Sequence, residues 1–253
     1  YLNFILDLNS YVITLLVSLI IGSVFCFIGK KHYTNITISS QIAFILLSFF
    51  LIPFLICIPY YLSIYNISFL NSYFESISGI TSTGFSIIKN INNIDEPLLL
   101  WRSSSQWLGG LFFLVAVIGT VGSKQIKINP AYLLPGAPSE NIYNNFSSNF
   151  IRILFIYFVS TIFIIFLYNL TNIRFFDAFN LAFTVVSSGG FLSSNNLNNI
   201  LNNDFQILIL SITLLFPILN FFLFYNFFTK QFKFKNHHED IHLLSIVIFL
   251  SLF

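Results

Sequence analysis

Long stretches without a single charged residue divide this chain and limit what it can fold into. A helix that crosses the hydrocarbon core of a bilayer needs about 20 predominantly apolar residues. Windows without Lys, Arg, Asp or Glu that mark the predicted spans are residues 8–29, 32–74, 103–123, 153–173 and 205–229. The second window is too long for one helix, so it must hold a span together with a further element. The pattern predicts an all-α integral membrane protein with several spans, the sixth of which begins at residue 241.

The composition excludes the other classes of protein. Charged residues make up 8% of the chain, against roughly 25% in an ordinary soluble domain. Hydrophobic residues make up 56%, and the mean hydropathy is +0.84, whereas a disordered chain has low hydrophobicity and high net charge. The formal charge of +2 is too small and too scattered for a nucleic-acid-binding surface. Cys26 and Cys57 both lie in apolar runs, which favours core-type thiols over a disulfide framework.

The two ends of the sequence lead us to expect an interior piece of a longer protein. The chain contains no methionine and starts at Tyr1. The apolar run that follows Asp240 stops at Phe253 after 13 residues, fewer than a span requires. The alternative is a processed amino terminus combined with a short hydrophobic tail.

The basic residues predict which side of the membrane each loop faces, because cytoplasmic loops carry an excess of Lys and Arg. Loops of one parity contain Lys30, Lys31, Lys124, Lys127, Lys230, Lys233 and Lys235. Loops of the other parity contain only Lys89 and Arg174. We therefore expect a multi-pass protein of the cytoplasmic (inner) membrane, with its amino-terminal end outside and its lysine-rich loops in the cytoplasm.

Two external segments between the spans resemble each other at a constant offset of 106 residues. The first reads Asn71-Ser-Tyr-Phe-Glu-Ser-Ile-Ser-Gly-Ile-Thr-Ser-Thr-Gly-Phe85, and the second reads Asp177-Ala-Phe-Asn-Leu-Ala-Phe-Thr-Val-Val-Ser-Ser-Gly-Gly-Phe191. Each begins with about ten apolar-rich residues, enough for a helix of roughly 15 Å, and each ends in small residues followed by Gly-Phe. The pattern predicts two repeats of span, half-helix, small-residue segment and span. Asp177 is predicted to cap the second half-helix.

A half-helix followed by a Thr/Ser/Gly segment has the chemistry of a cation filter. Main-chain carbonyls can replace the hydration shell of an ion, glycine adopts the φ values that aim carbonyls inward, and the carboxyl end of a helix carries about half a negative charge. No acidic side chain lies within residues 81–86 or 187–191, which favours a monovalent cation. The alternative is that both small-residue segments form ordinary turns, and either one taken singly would more often be a turn.

Three motifs resemble the TrkH/KtrB superfamily of potassium-uptake proteins. The segment Phe74-Glu-Ser-Ile-Ser-Gly-Ile-Thr-Ser-Thr-Gly84 is similar to the first pore loop of that family, and the segment from Asp177-Ala178 to Gly189-Gly190-Phe191 is similar to the second. The segment Leu100-Trp-Arg-Ser-Ser-Ser-Gln-Trp-Leu-Gly-Gly110 resembles the start of the helix that follows the first loop, and it is the most specific of the three. The extra span at residues 8–29 favours the longer, TrkH-like members.

The resemblance implies a potassium pore built from four repeats, of which this chain would hold the first two and the beginning of a third. In the family, filter carbonyls from all four loops coordinate the ion. Carried over by motif, this implies K⁺ binding at Thr81, Ser82, Thr83, Gly84, Ser187, Ser188, Gly189 and Gly190. Glycine at positions 84 and 190 resembles potassium-permeable members. The resemblance further implies a homodimer and a cytoplasmic nucleotide-binding regulatory subunit of the TrkA/KtrA type, with K⁺ as the transported ion and no covalent cofactor.

Two charged residues fall inside the predicted membrane segments. Glu75 lies on the first predicted half-helix, and Arg102 lies where the next span begins on the outer side. A charge at membrane depth is costly and is usually paired or functional. One hypothesis is that Glu75 and Arg102 brace the loop behind the filter. The alternative is that the Arg102 side chain extends to the membrane interface.

The cluster His237-His238-Glu239-Asp240 could suggest a transition-metal site. Adjacent histidines point in different directions on a helix, and no cysteine or second histidine pair supports them. We interpret the cluster as part of a solvated cytoplasmic loop.

The sequence predicts an extra N-terminal transmembrane helix followed by two-transmembrane potassium-channel-like repeats, each an M1–pore half-helix–M2 unit. The predicted units are the extra helix (1–31), a first pore repeat (32–123), a cytoplasmic loop (124–149), a second pore repeat (150–229), and a loop with the start of a third repeat (230–253). No catalytic constellation is present, so we expect no enzyme, and the resemblance implies a potassium-uptake protein. The alternatives are a sodium- or proton-coupled secondary cation transporter, against which the same-direction repeats argue, and a non-conducting membrane scaffold.

Overall fold

The computed structural model describes residues 2–30, 37–121, 146–218 and 238–251, and their regular structure is helical. The helices are α1 (Leu2–Gly29), α2 (Ile38–Leu62), α3 (Phe69–Ile80), α4 (Glu96–Val121), α5 (Phe146–Leu170), α6 (Phe175–Ser187), α7 (Asp204–Thr213), α8 (Leu215–Ile218) and α9 (His238–Ser251). Short 3₁₀ turns at Ile91–Asn93 and Leu197–Asn199 follow the loops after α3 and α6. The predicted all-α fold class is confirmed.

Three helices are long and apolar enough to cross a membrane, judged by length and composition. The spans are Leu8–Gly29 in α1, Ser39–Leu62 in α2 and Phe150–Leu170 in α5. α4 has 26 residues, but its first half carries Arg102, Ser103, Ser105 and Gln106, all of which are buried. These polar residues lower the average hydropathy of α4, although the helix is long enough to be a span. Their burial agrees with the rule that polar residues at membrane depth face the protein interior. These helices make the protein a multi-pass membrane protein.

The two predicted half-helices are present and slightly longer than expected, with 12 residues in α3 and 13 in α6. α3 begins after Ser68, whose side chain accepts a hydrogen bond from the Asn71 N–H at 3.4 Å, as an N-cap does. The predicted cap of α6 is wrong, because α6 begins after Arg174 and Asp177 is its third residue. The Asp177 carboxylate instead accepts a hydrogen bond from Ser193 Oγ at 2.6 Å.

α4 lies between the two half-helices and joins the two repeats. α3 packs against α2 and α4, and α6 packs against α4 and α5. One hydrophobic cluster contains Ile56, Tyr60, Ile80, Ile94, Leu98 and Leu99. A second contains Tyr157, Ile164, Tyr168, Leu181, Val185 and Leu210 among its members. Each cluster lies within one predicted pore repeat. The exact limits of the predicted units stay a prediction, and the first helix of the second repeat, α5, begins at Phe146, four residues before the predicted start at residue 150.

The predicted span over residues 205–229 is interrupted early. α7 ends at Thr213, and α8 begins two residues later at Leu215. Pro217 lacks an amide hydrogen, and its ring crowds the carbonyl four residues earlier, which belongs to Thr213. The proline therefore explains why α7 stops there. Residues 219–237 and most of the predicted cytoplasmic loop 124–149 lie outside the described residues.

The acidic part of the His-His-Glu-Asp cluster is helical, so its interpretation as a loop is wrong for the described residues. α9 begins at His238, and Asp240 is buried, whereas His237 lies outside the described residues. Within the described ranges, no group of three or more His, Cys, Asp or Glu side chains is placed to hold a metal ion.

Candidate ion-selectivity site

The carboxyl end of α3 closes around Ser82 in a Schellman motif. The Ser82 N–H donates to the Gly79 carbonyl at 2.9 Å, and the Thr83 N–H donates to the Ser78 carbonyl at 3.0 Å. Ser82 has a φ of 52°, the left-handed conformation that characterises this helix ending. The chain is thereby turned off the helix axis, and residues 83–88 continue without regular secondary structure.

α6 ends in the same way 106 residues later. The Ser188 N–H donates to the Val185 carbonyl at 3.1 Å, the Gly189 N–H donates to the Thr184 carbonyl at 2.9 Å, and Ser188 has a φ of 56°. Positive φ values among the described residues fall into three pairs with this same separation: Asn66 and Asn172, Ser82 and Ser188, Gly84 and Gly190. The sequence repeat is therefore also a repeat of backbone conformation.

The two loops meet main chain to main chain at their glycines. A β-carbon on Gly84 would lie 2.6 Å from the Gly189 carbonyl oxygen and 3.2 Å from the Gly190 α-carbon. Gly84 has a φ of 79° and Gly190 a φ of 128°, values that residues with side chains rarely adopt. Glycine is therefore required at position 84 for two reasons, its backbone conformation and the space beside it.

Adjacent glycines of α4 receive the ends of both half-helices. A β-carbon on Gly109 would overlap the Ile80 carbonyl at the end of α3. A β-carbon on Gly110 would lie 2.7 Å from the Tyr157 hydroxyl and 3.0 Å from the Ser187 α-carbon at the end of α6. Small residues let helices approach closely within a membrane, and here they set α4 directly against both half-helix ends.

The residues predicted to form the filter lie at the carboxyl ends of the two half-helices and on the facing loops that follow, with Ser187 as the last residue of α6 and Thr81 as the residue that ends α3. They are Thr81, Ser82, Thr83, Gly84, Ser187, Ser188, Gly189 and Gly190. The Thr81 hydroxyl donates to the Ile77 carbonyl at 2.7 Å, and the Ser187 hydroxyl donates to the Phe183 carbonyl at 2.8 Å. These two side chains are thus turned back onto their own helices.

A cavity of about 350 Å³ lies beside the two half-helix ends. Its polar lining comes from Thr81, Ser82 and Ser187, and the rest from Phe49, Ile80, Gly109, Gly110 and Phe113. The cavity is therefore bounded by α2, by α4 and by the carboxyl ends of both half-helices.

Glu75 and Arg102 form an ion pair inside the protein, where each side chain is 1% exposed. Arg102 Nη2 lies 2.8 Å from Glu75 Oε1, and Arg102 Nε donates to the same oxygen at 2.9 Å. The carboxylate also accepts hydrogen bonds from Ser86 Oγ at 2.9 Å and from the Ile87 N–H at 3.2 Å. The burial of Arg102 excludes the alternative that its side chain extends to the membrane interface.

Arg102 contacts the second loop as well as the first. Its Nη1 donates to the Leu192 carbonyl at 3.4 Å, and its guanidinium carbon lies 4.1 Å from the centroid of the Phe191 ring. A guanidinium at this distance from an aromatic face makes a favourable cation–π interaction. The pair therefore connects the segments that follow Gly84 and Gly190.

Several polar residues at this site were given no role by the sequence motifs. Gln106 contacts both loops, and Ser103 Oγ donates to Asn180 Oδ1 between α4 and α6. The signal that could have found them is the run of polar residues at the start of the charge-free window 103–123, since polar groups at membrane depth are usually functional or paired.

The fold and the site together define a class, that of multi-pass helical membrane proteins with paired half-helix loops. Non-helical backbone at membrane depth is tolerated only inside protein or beside a water-filled cavity. The family model for TrkH, described as a cation transport protein, matches residues 8–249. The chain belongs to this family.

Individual relatives agree with the family match. An uncharacterized cation transporter of Methanocaldococcus jannaschii is 31% identical over 231 residues, which cover 88% of this chain and 45% of that protein. The Trk system potassium uptake protein TrkG of Escherichia coli is 29% identical over 212 residues, which cover 79% of this chain and 44% of that protein. This chain thus spans about half the length of the curated relatives it matches.

The fold is also that of a solved structure. The crystal structure of the potassium transporter TrkH from Vibrio parahaemolyticus matches with a TM-score of 0.67 at 19% sequence identity. The match covers 99% of this chain and 56% of that one. The predicted relation to this superfamily is confirmed.

Proposed function

We propose that this chain supplies two consecutive repeats of a potassium-uptake pore, in which K⁺ exchanges hydration water for main-chain carbonyls of residues 81–84 and 187–190. The observation that carries the proposal is the contact between Gly84 and Gly189, where two loops with the same left-handed turn converge. The name of TrkG as a potassium uptake protein supports K⁺ as the substrate. Further carbonyls would come from the part of the relatives that this chain does not match.

The electrostatics of the site favour a monovalent cation. α3 and α6 both direct their carboxyl ends at the loops, and each such end carries about half a negative charge. The nearby Glu75 carboxylate is neutralised by Arg102 at 2.8 Å, so it adds no net charge. Two helix ends and a set of carbonyl dipoles attract a cation without binding it so tightly that it cannot leave.

Glu75 and Arg102 act in this proposal as filter supports. The Glu75 carboxylate holds Ser86 and the Ile87 N–H just beyond the first loop, and Arg102 holds the Leu192 carbonyl just beyond the second. Both loops are therefore anchored on their outer side. An anchored loop keeps its carbonyls at a fixed spacing, which is the condition for discriminating ions of different size.

The proposal is tested by potassium transport. The full-length protein, reconstituted into liposomes, is expected to take up ⁸⁶Rb⁺ as a tracer for K⁺ when driven by a K⁺ gradient alone. Gly84→Asp is expected to abolish this uptake because it places a side chain where the two loops touch. Gly22→Ala serves as the control, because no atom lies within 4 Å of the new methyl group. Aspartate is not used at position 22, since it would place a charge in an apolar helix.

The same experiment separates the competing functions. Uptake that requires a sodium or proton gradient would favour a coupled secondary transporter, and uptake of sodium without potassium would contradict K⁺ as the substrate. Absence of any flux from well-folded, full-length protein would favour a non-conducting scaffold. Because the relatives described above are named as transporters or uptake proteins, no enzymatic role is proposed.

The partners and the orientation are further parts of the proposal. We expect a homodimer that works with a cytoplasmic nucleotide-binding regulatory subunit in the cytoplasmic membrane. The segments 65–97 and 170–204 would then lie on the outer side and the lysine-rich loops in the cytoplasm. A cysteine placed at Lys89, in a version of the full-length protein from which Cys26, Cys57 and every other cysteine have been removed, should react with a membrane-impermeant maleimide on intact cells. Labelling only after the cells are opened would show that residue 89 faces the cytoplasm and that the proposed orientation is wrong.

A further inference from the structure

Gln106 is a fully buried polar residue at the point where α4 passes both loops. Its side chain is 0% exposed, and it lies one helical turn after Arg102. An amide inside a protein is costly unless it is hydrogen-bonded. The oxygen of Gln106 is hydrogen-bonded, whereas Gln106 Nε2 has no hydrogen-bond partner among the described residues, so the contacts of the oxygen are what this side chain contributes.

The side chain of Gln106 holds the second loop. Gln106 Oε1 accepts a hydrogen bond from the Phe191 N–H at 3.2 Å. The Thr184 hydroxyl lies 3.2 Å from the same oxygen, but its one proton goes to the closer Phe191 carbonyl. The amide group lies so close to Gly189 that a β-carbon there would overlap it. Glycine at position 189 is thus what allows the amide to reach the Phe191 N–H.

The main chain of Gln106 contacts the first loop. The Ser82 hydroxyl donates to the Gln106 carbonyl at 3.3 Å. A carbonyl has two lone pairs and can accept this bond in addition to its helical one. A single residue of α4 is therefore bonded to both left-handed loop endings.

The bond to the Phe191 N–H also orients a carbonyl. The Gly190 carbonyl and the Phe191 N–H belong to one planar, trans peptide unit and point in opposite directions. Since the N–H points at Gln106 on α4, the Gly190 carbonyl points away from α4. This is one of the carbonyls assigned above to the ion.

We propose that Gln106 is a selectivity-determining positioning residue, whose side-chain oxygen turns the Gly190 carbonyl towards the ion path and fixes the second loop relative to the first. The proposal rests on the proposed potassium-uptake function. Gln106 acts on the ion only through the Gly190 carbonyl that it orients. Its removal should therefore change the discrimination between K⁺ and Na⁺ more than the amount of folded protein.

The test compares Gln106→Met, which keeps the length of the side chain but removes the acceptor, with Gln106→Glu, which keeps an oxygen at the same position. Uptake of K⁺ and Na⁺ is measured for the full-length protein in liposomes. Loss of one hydrogen bond predicts about a fivefold fall in the K⁺/Na⁺ ratio for Gln106→Met. Gln106→Glu should retain a ratio closer to that of the wild type.

Gln206→Met is the matched control. Gln206 is also buried, at 3% exposure, and its amide bonds the Asn202 N–H at 2.7 Å and the Thr171 carbonyl at 2.9 Å, away from both loops. It should lower thermal stability without changing the K⁺/Na⁺ ratio. A change in the ratio as large as that of Gln106→Met would show a general effect of lost packing and overturn the proposal.

Results for the methionine, glutamate and asparagine variants can each overturn the proposal for Gln106, and the wild-type protein tests the proposed function. A ratio within about twofold of the wild type for Gln106→Met overturns the proposal, since a lost hydrogen bond predicts more, and so does a Gln106→Glu variant that is no better than the methionine variant. If Gln106→Met does not accumulate in the membrane, Gln106→Asn keeps the amide one methylene short of Phe191, and wild-type selectivity in that variant also overturns it. Absence of K⁺ uptake by the wild-type protein would instead contradict the proposed function itself.

Discussion

Arg102 Nη2 lies 2.8 Å from Glu75 Oε1, and this ion pair joins α4 to the first half-helix at a depth where each side chain is 1% exposed. Leu181 stands 106 residues after Glu75, so the second half-helix carries an apolar, buried residue at the same position. The repeats therefore share a backbone but differ in how they are anchored. One arginine serves both loops, through Glu75 on one side and Leu192 on the other.

Breaking this pair should strongly destabilise the protein. Arg102→Gln leaves the Glu75 carboxylate buried without its counter-charge, and removal of one partner of a buried pair costs about 3–5 kcal/mol. We expect a marked fall in the thermal unfolding temperature of the full-length protein in detergent, together with reduced K⁺/Na⁺ selectivity. Unchanged folding combined with unchanged selectivity would contradict the bracing role.

Replacing both charges is the informative companion experiment. The double variant Glu75→Leu/Arg102→Leu removes the uncompensated charge, so it should be more stable than either single leucine variant. Glu96→Gln provides a control, because Glu96 pairs with Arg174 at the surface, where the side chains are 54% and 63% exposed. Exposed pairs contribute about 0–1 kcal/mol, so the control should unfold close to the wild-type temperature.

The glycine pair of α4 gives a second prediction. Gly109→Ala places a methyl group against the Ile80 carbonyl, and main chain cannot move aside as a flexible side chain can. We expect α4 to separate from the end of α3, at a cost of about 1–3 kcal/mol for overpacking. Gly22→Ala, inside α1 with no atom within 4 Å, should leave stability unchanged or raise it by about 0.5–1 kcal/mol. Equal melting temperatures for the two variants would contradict the close approach.

The left-handed turn at Ser188 gives a third prediction, about backbone strain. Ser188 has a φ of 56° and an exposed side chain, so a substitution there tests conformation with little change in packing. Ser188→Gly should raise the free energy of unfolding by about 1 kcal/mol, because left-handed backbone costs a residue with a β-carbon roughly 1–2 kcal/mol. Ser188→Val should lower it, because a β-branched side chain fits the left-handed region less well than serine does. Thermal unfolding of the three proteins should rank Gly above Ser above Val, and any other order would argue against the Schellman ending.

The sequence predicted the features that follow from periodicity and composition. Charge-free windows located α1, α2 and α5, and the offset of 106 residues located both half-helices and the small-residue segments that follow them. The left-handed turns at Ser82 and Ser188 were not predicted, because the small-residue segments were expected to be extended. The length of an apolar run and the repeat of small residues can be read from the sequence alone. The thickness of the bilayer then sets the length of each spanning helix. The resemblance of the motifs then supplied the family.

Other features depend on contacts that a single sequence does not display. The cap of α6 was misplaced because the helix begins two residues before Asp177, and cap positions are decided by local geometry. The break at Thr213 could have been expected from Pro217. The run of polar residues could have singled out Gln106, but not its contact with the second loop, since that contact depends on α4 lying directly against Gly189.

The segments that follow the two loops give a last prediction. Asn195 Oδ1 accepts the Ile91 N–H at 2.7 Å, and Asn195 Nδ2 donates to Asn90 Oδ1 at 2.9 Å, so one amide ties the segment after α6 to the segment after α3. Asn195→Asp keeps the acceptor and loses the donor, whereas Asn195→Ala loses both. With about 1 kcal/mol for each bond, the wild type should unfold at the highest temperature, the Asn195→Asp variant at a lower one and the Asn195→Ala variant at the lowest. Equal stability of all three proteins would show that other contacts hold the segment after α6 to the segment after α3.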